Sequence, residues 1–200
     1  MAAGVTFNER MGGHVAACSG SPEEREDYRA RYREGKSADG ECHFEATMLI
    51  DDIAAYVRDP AHRARMTGTF HWGPVGQAPM RDGDFQLFVK NPDSGTREMR
   101  YRFTFDGPDG APLTFVGVKW MKPRWRLNTW SPSTTLYSRI ERADATAAWC
   151  GILTIGLKET LKLFRSVRPV GTSDPAEGRR AVRAFNGFFM REQMALLREG

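Results

Sequence analysis

Through much of this chain apolar residues fall at every second position, in short runs cut off by clusters of Asp, Gly, Asn and Pro. Cys42, Phe44, Ala46, Met48 and Ile50 share one face of such a run, while His43, Glu45, Thr47 and Leu49 take the other. A period of two belongs to an extended strand with one face on a core. The same alternation is found from Val5 to Met11, Met66 to Trp72, Asp84 to Lys90, Glu98 to Phe105, Leu113 to Met121 and Thr134 to Glu141. Stretches such as Asn91-Pro92-Asp93-Ser94-Gly95 and Asp106-Gly107-Pro108-Asp109-Gly110 read as the hairpin connections between them. Seven or more strands on tight turns fit a mainly β fold, an antiparallel, lipocalin-like β barrel or curled sandwich, better than a parallel sheet with its crossover helices. Closure into a barrel would also hide the sheet edges.

Several segments interrupt the series. Gly12 and Gly13 predict that the first strand bends or bulges there, and the charged stretch from Ser21 to Gly40, with Tyr28 and Tyr32 four residues apart, reads as a short exposed helix or an insertion loop. Asp51 and Asp52 are placed to cap a short helix through Val57 that Asp59-Pro60 terminates, and Ala61 to Arg65 is a second start leading into the next strand. Ala147 to Ile155 suits either a last strand or a buried helix. Beyond it the period becomes helical. Leu157, Leu161 and Phe164 share one face, and Asp174-Pro175 opens a longer helix with Val182, Phe185, Phe188, Phe189 and Leu196 on one side and Arg179, Arg180, Arg183 and Arg191 on the other. The domain reading is a barrel over 1–157, with the charged insertion 21–40, and C-terminal helices over 158–200 packed on the same domain.

With 200 residues, 40% of them hydrophobic and 11% aromatic, one substantial core is expected. The 29 basic residues are interspersed with 25 acidic ones for a net charge of +4, which describes a solvated surface and not a nucleic-acid binder. Cys18, Cys42 and Cys150 are too few and too scattered for a disulfide framework or a zinc site, so no bridge is expected among them and a reducing compartment is the simplest reading. The N-terminus shows no secretory signal, and the longest apolar run, Ala147 to Leu157, is too short to span a bilayer. These features predict a cytoplasmic location.

Motifs of catalysis are missing from the sequence. It contains no Gly-x-Ser-x-Gly elbow, no dinucleotide-binding Gly-x-Gly-x-x-Gly after a strand and no phosphate-binding Gly-Lys-Ser/Thr, and His14, His43, His62 and His71 stand singly. No cofactor and no metal are expected. Lys119 to Trp130 interleaves cations with Trp120, Trp125 and Trp130, a pattern that suits a hairpin rimming a barrel mouth, peripheral contact with an anionic membrane, or single strands of nucleic acid; the first is preferred. Glu9, Glu45 and Arg139 lie within strand-like runs; because buried charges are rare the outer face is the preferred reading for all three, and any that points inward must be paired, since an isolated buried charge is costly.

The strings Phe7-Asn8-Glu9-Arg10-Met11-Gly12-Gly13, Gly83-Asp84-Phe85-Gln86-Leu87-Phe88 and Thr134-Thr135-Leu136-Tyr137-Ser138-Arg139-Ile140 resemble an accessory β region of bacterial proteins related to cholesterol oxidase, in the glucose-methanol-choline oxidoreductase family. The resemblance covers roughly Val5 to Leu157. It implies a free-standing, non-catalytic β module that works near sterol or lipid metabolism, beside a separate lipid-metabolising enzyme. Because the flavin-binding glycines are absent, oxidase activity does not carry over.

The leading expectation is therefore a non-catalytic binding module for an apolar, sterol- or lipid-like molecule. Its ligand-binding candidates are Phe44, Phe70, Phe85, Tyr101, Phe103, Phe115, Trp120, Tyr137 and Arg139, with Met48 and Leu87 in the same lining; a barrel filled by these side chains is the alternative. A partner-binding or membrane-associating accessory subunit of a lipid or sterol oxidoreductase is the second reading. The third is a small enzyme using His43, His71, Glu45 or Tyr137, which requires at least two of them to converge in one pocket.

Overall fold

A computed structural model describes residues 2–18, 24–92, 94–121, 134–144 and 147–198. In chain order the elements are β1 (Gly4–Ala17), α1 (Arg25–Ser37), β2 (Glu41–Ile50), α2 (Ile53–Arg58), β3 (Arg63–Trp72), β4 (Gly76–Pro79), β5 (Arg81–Lys90), β6 (Arg97–Asp106), β7 (Pro112–Met121), β8 (Thr135–Glu141), β9 (Ala147–Thr154), α3 (Leu157–Ser166), β10 (Arg168–Val170) and α4 (Pro175–Arg198). Strands β1, β2, β3, β5, β6, β7, β8 and β9 follow one another in antiparallel pairs, and β9 returns to β1, which closes an eight-stranded barrel. The short β4 pairs with β3 and β10 with β1, outside that circuit.

Closure depends on the length of β1. Its residues from Val5 to His14 pair with β2, while Gly12 to Ala17 pair with β9. The double glycine therefore lies within a continuous strand and does not end it. A Cβ on Gly13 would stand 2.0 Å from the Ile152 carbonyl oxygen, and one on Gly151 would stand 2.1 Å from that of His14, so the two backbones meet more closely there than any side chain allows.

Alternation along each strand sends one set of side chains inward. Phe44, Phe70, Phe103, Phe105 and Phe115 fill the middle and one end of the barrel together with Met11, Met48 and Met66, each no more than 2% exposed. Phe103 and Phe115 stack at 4.7 Å between centroids, and Phe70 meets both at 5.5 and 5.6 Å, within the range of favourable ring pairs. All nine residues expected to be most buried (Phe7, Phe44, Met48, Phe85, Leu87, Tyr101, Phe103, Phe115 and Ile140) are so. Ala147–Thr154 is a strand and not a buried helix.

The other barrel end is covered by helices. Asp52 caps α2 by accepting from the Ala54 and Ala55 amides. From α4, Phe185 packs on Phe7 at 5.2 Å and Phe188 on Tyr56 and His62 at 5.7 and 4.6 Å. A bulge in β5, with Phe88 at φ 57°, turns both Leu87 and Phe88 into the core; Phe88 meets Phe189 at 5.3 Å. Ion pairing between Arg97 and Glu192 ties β6 to α4. Arg179, Arg180, Arg183 and Arg191 face solvent, as the helical pattern predicts.

Of the two readings of the 21–40 stretch the helix is the one found: α1 is largely exposed and lies on the outside of the barrel, burying Tyr28. The cysteine expectation fails. Cys18 and Cys150 form a disulfide, their Cα atoms 6.0 Å apart and 132 residues apart in sequence, while Cys42 is free and buried. The spacing of the cysteines could not show this; β1 and β9 bring them together, since Ala17 lies opposite Trp149. Burial pushes the Cys42 thiol up to about 12, so it behaves as a small hydrophobe.

Candidate functional site

Beneath the helices the barrel is hollow. A cavity of about 280 Å³ lies between the filled phenylalanine layer and the two C-terminal helices. Phe7, Phe85, Leu87, Met99 and Ile155 supply its barrel wall, while Thr160, Leu163 and Phe164 of α3 and Phe185, Phe189 and Gln193 of α4 supply its roof.

Set into this apolar lining is a buried polar triad. Lys119 Nζ donates to Glu9 Oε1 at 2.8 Å, and the Tyr101 hydroxyl donates to Glu9 Oε2 at 2.9 Å. Both charged side chains are 3% exposed. The ammonium also lies 5.0 Å from the Tyr101 ring centroid, within cation–π range. The register explains the convergence. Glu9 follows Phe7 and precedes Met11 on the inward face of β1; Lys119 follows Phe115 and Gly117 on that of β7; Tyr101 lies opposite Gly117. Burial, the Glu9 charge and the hydrogen bond to it raise the Tyr101 phenol well above its ordinary range, so it remains a hydrogen-bond donor.

Of the residues expected from the sequence to line a ligand site, Phe85 and Tyr101 border the cavity. Phe44, Phe70, Phe103 and Phe115 form the solid layer below it and leave no space there for a ligand. Trp120, Tyr137 and Arg139 point out of the barrel. Trp120 packs on Tyr137 at 4.5 Å, and Tyr28 of α1 meets Tyr137 at 5.5 Å, with the Arg25 guanidinium 4.9 Å over the Trp120 ring. Arg139 pairs with Glu141 on the same outer face. The inward placement of Tyr137 is thus corrected, Trp120 packs on the outer face and does not rim the mouth, and Arg139 takes the outer face expected of a charge in a strand: β7 and β8 each alternate, and the inward positions belong to Phe115, Lys119, Leu136 and Ile140. Trp125 and Trp130 lie outside the described residues.

His43 and His71 do meet, stacked at 4.3 Å on the outer face of β2 and β3, with Arg10 and Glu45 paired beside them at 3.1 Å. Burial and the neighbouring His71 lower the His43 imidazole. Tyr137 is on another part of the barrel, and the histidine pair does not border the cavity. Among the described residues no group of three or more His, Cys, Asp or Glu is arranged to hold a metal.

Glu9 shares the inward face of Phe7, which corrects the outer face preferred for it on the rarity of buried charge; Glu45, paired with Arg10, does lie outward. Lys119 was hidden by its neighbours: it reads as one of the cations between tryptophans, although its register with Phe115 and Met121 carries the inward signal.

Compared with protein-family models, curated proteins and solved structures, the chain finds no match.

Proposed function

We propose that this protein is a non-catalytic binding module for a small apolar molecule that ends in a neutral oxygen. The observation that carries the reading is an apolar cavity whose only charged lining, among the described residues, is the Glu9–Lys119 pair. Its volume is just below the roughly 300–1,000 Å³ of sites for drug-sized ligands, which favours a short chain or a one- or two-ring compound over a whole sterol. Within the pair the charges already balance. A carboxylate ligand would place a second anion on one buried cation, whereas a hydroxyl or carbonyl oxygen can accept from Lys119 at no such cost. The link to sterol or lipid metabolism, and to a separate lipid-metabolising enzyme, rests on the sequence resemblance alone.

Displacement of a fluorescent apolar dye, N-phenyl-1-naphthylamine, tests the reading. Medium-chain alcohols and ketones should displace it saturably and better than fatty acids of equal length, and Leu163→Trp, which fills the roof, should abolish the effect. Saturable binding unchanged in Leu163→Trp would place the ligand elsewhere.

A second reading, attachment to an anionic membrane, is favoured by α3. Leu161 and Phe164 are 49% and 47% exposed on a helix that also exposes Lys158, Lys162 and Arg165. Among the described residues no helix is long and apolar enough to cross a membrane. The Cys18–Cys150 bond favours an oxidising compartment over the cytoplasm expected from the sequence.

A further inference from the structure

We propose that Lys119 is a covalent anchor for apolar aldehydes, held in the barrel as an imine. The inference deepens the binding reading above and rests on it. Lys119 is 2% exposed and borders the cavity, yet among the described residues its ammonium has one hydrogen-bond acceptor, Glu9 Oε1 at 2.8 Å. An ammonium carries three donors. Two of those donors have no acceptor among the described residues, so the nitrogen faces the apolar space and, once it has given up a proton, can meet a carbonyl that enters.

The surrounding groups supply what the reaction needs. Glu9 is placed to take one proton from the ammonium, which frees the nitrogen lone pair. The amine then attacks the aldehyde carbon; a C–N bond forms, the carbonyl π electrons move to oxygen, and the nitrogen's extra proton passes to that oxygen to give a carbinolamine. Glu9 returns its proton to the hydroxyl, which leaves as water while the nitrogen lone pair closes the C=N bond. The sum is aldehyde plus lysine ammonium giving protonated imine plus water, with no oxidant or reductant. Tyr101 acts as a positioning residue, holding Glu9 through its second oxygen at 2.9 Å. Charge is conserved throughout: the iminium replaces the ammonium beside Glu9, so the carboxylate is never left unpaired. The apolar roof of Leu163, Phe164 and Phe189 limits the water that would hydrolyse the product.

The exposed Lys36, Lys90, Lys158 and Lys162 serve as internal comparators. The native protein is incubated with nonanal and sodium cyanoborohydride, and the reduced adduct is mapped by peptide mass spectrometry, with and without excess nonanol. The expected result is a single alkyl group on Lys119, formed at least ten times faster than on any of the four exposed lysines and suppressed by nonanol. Tyr101→Phe should slow the trapping and shift its pH profile, because Glu9 loses the donor that holds its second oxygen. Labelling confined to exposed lysines, with nonanol displacing N-phenyl-1-naphthylamine, would overturn the imine and leave the binding reading standing. Absence of both labelling and displacement overturns both.

Discussion

At the scale of single residues, the Glu9–Lys119–Tyr101 triad is the most consequential arrangement in the interior. Two charges kept from water are tolerated only because each satisfies the other. Lys119→Met should therefore cost about 3–5 kcal/mol by leaving the carboxylate buried and unpaired, whereas Glu9→Gln combined with Lys119→Met should recover most of the loss; chemical denaturation of both variants measures this. A double variant whose loss equals the sum of the losses of Glu9→Gln and Lys119→Met alone would show that the pair is not coupled. His62 offers a test in pH. It lies between Tyr56 and Phe188 with Nδ1 2.9 Å from the Leu87 carbonyl oxygen, and burial lowers its imidazole below the ordinary 6.5 despite Glu192 and Asp59 nearby, with Arg97 adding to the lowering. The folded state thus holds this proton less tightly than the unfolded chain. Its contribution to stability is complete above about 6.5 and is lost as pH falls through the lowered folded value. His43 adds in the same direction. Unfolding midpoints should accordingly drop between pH 7.5 and 5, and His62→Asn, which suits the left-handed φ of 40°, should flatten that slope. The triad was not legible beforehand: the period of Phe7 and Met11 puts Glu9 on their face, but the rarity of buried charge argued for the outer one, and which basic residue meets it depends on the barrel's closure, which no single strand encodes.

The individual strands were legible because each carries its own period; β1 to β7 start before the expected bounds where these were given, while β8 and β9 are each one residue shorter than expected. What the sequence did not reveal was how elements join. The short β4 and β10 have too few residues for a period, and the passage of β1 from β2 to β9 is a property of the closed sheet. Two predictions belong to that seam. Gly151→Ala puts a methyl 2.1 Å from the His14 carbonyl oxygen, and since backbone must move to admit it, the loss should reach or exceed the roughly 1–3 kcal/mol of ordinary overpacking; a thermal melt indistinguishable from the parent would refute the close approach. The disulfide stands at the same seam and links positions 132 residues apart. Replacing Cys18 and Cys150 together by Ser should cost about 2–4 kcal/mol, and non-reducing peptide mapping should recover the two cysteines as one cross-linked species that reductant separates.

Over the whole molecule, the barrel divides into a solid half and a hollow half, and the helices stand over the hollow one. Among the described residues, α3 and α4 form the cover of the cavity that a ligand would pass. The same roof presents Leu161 and Phe164 outward among Lys158, Lys162 and Arg165, so the route to the cavity and the most amphipathic exposed helix coincide. Such a helix gains from burying its apolar side chains in a headgroup layer and from the attraction of its cations to anionic lipid, the latter screened within about 10 Å at 0.1 M salt. Sedimentation with vesicles should show retention on phosphatidylglycerol-containing membranes, little on phosphatidylcholine alone, and release as salt is raised. Leu161→Glu should abolish retention while leaving dye displacement from the cavity intact, because Leu161 does not line it. Retention that ignores both salt and Leu161→Glu would assign the contact to another surface and separate ligand entry from the membrane.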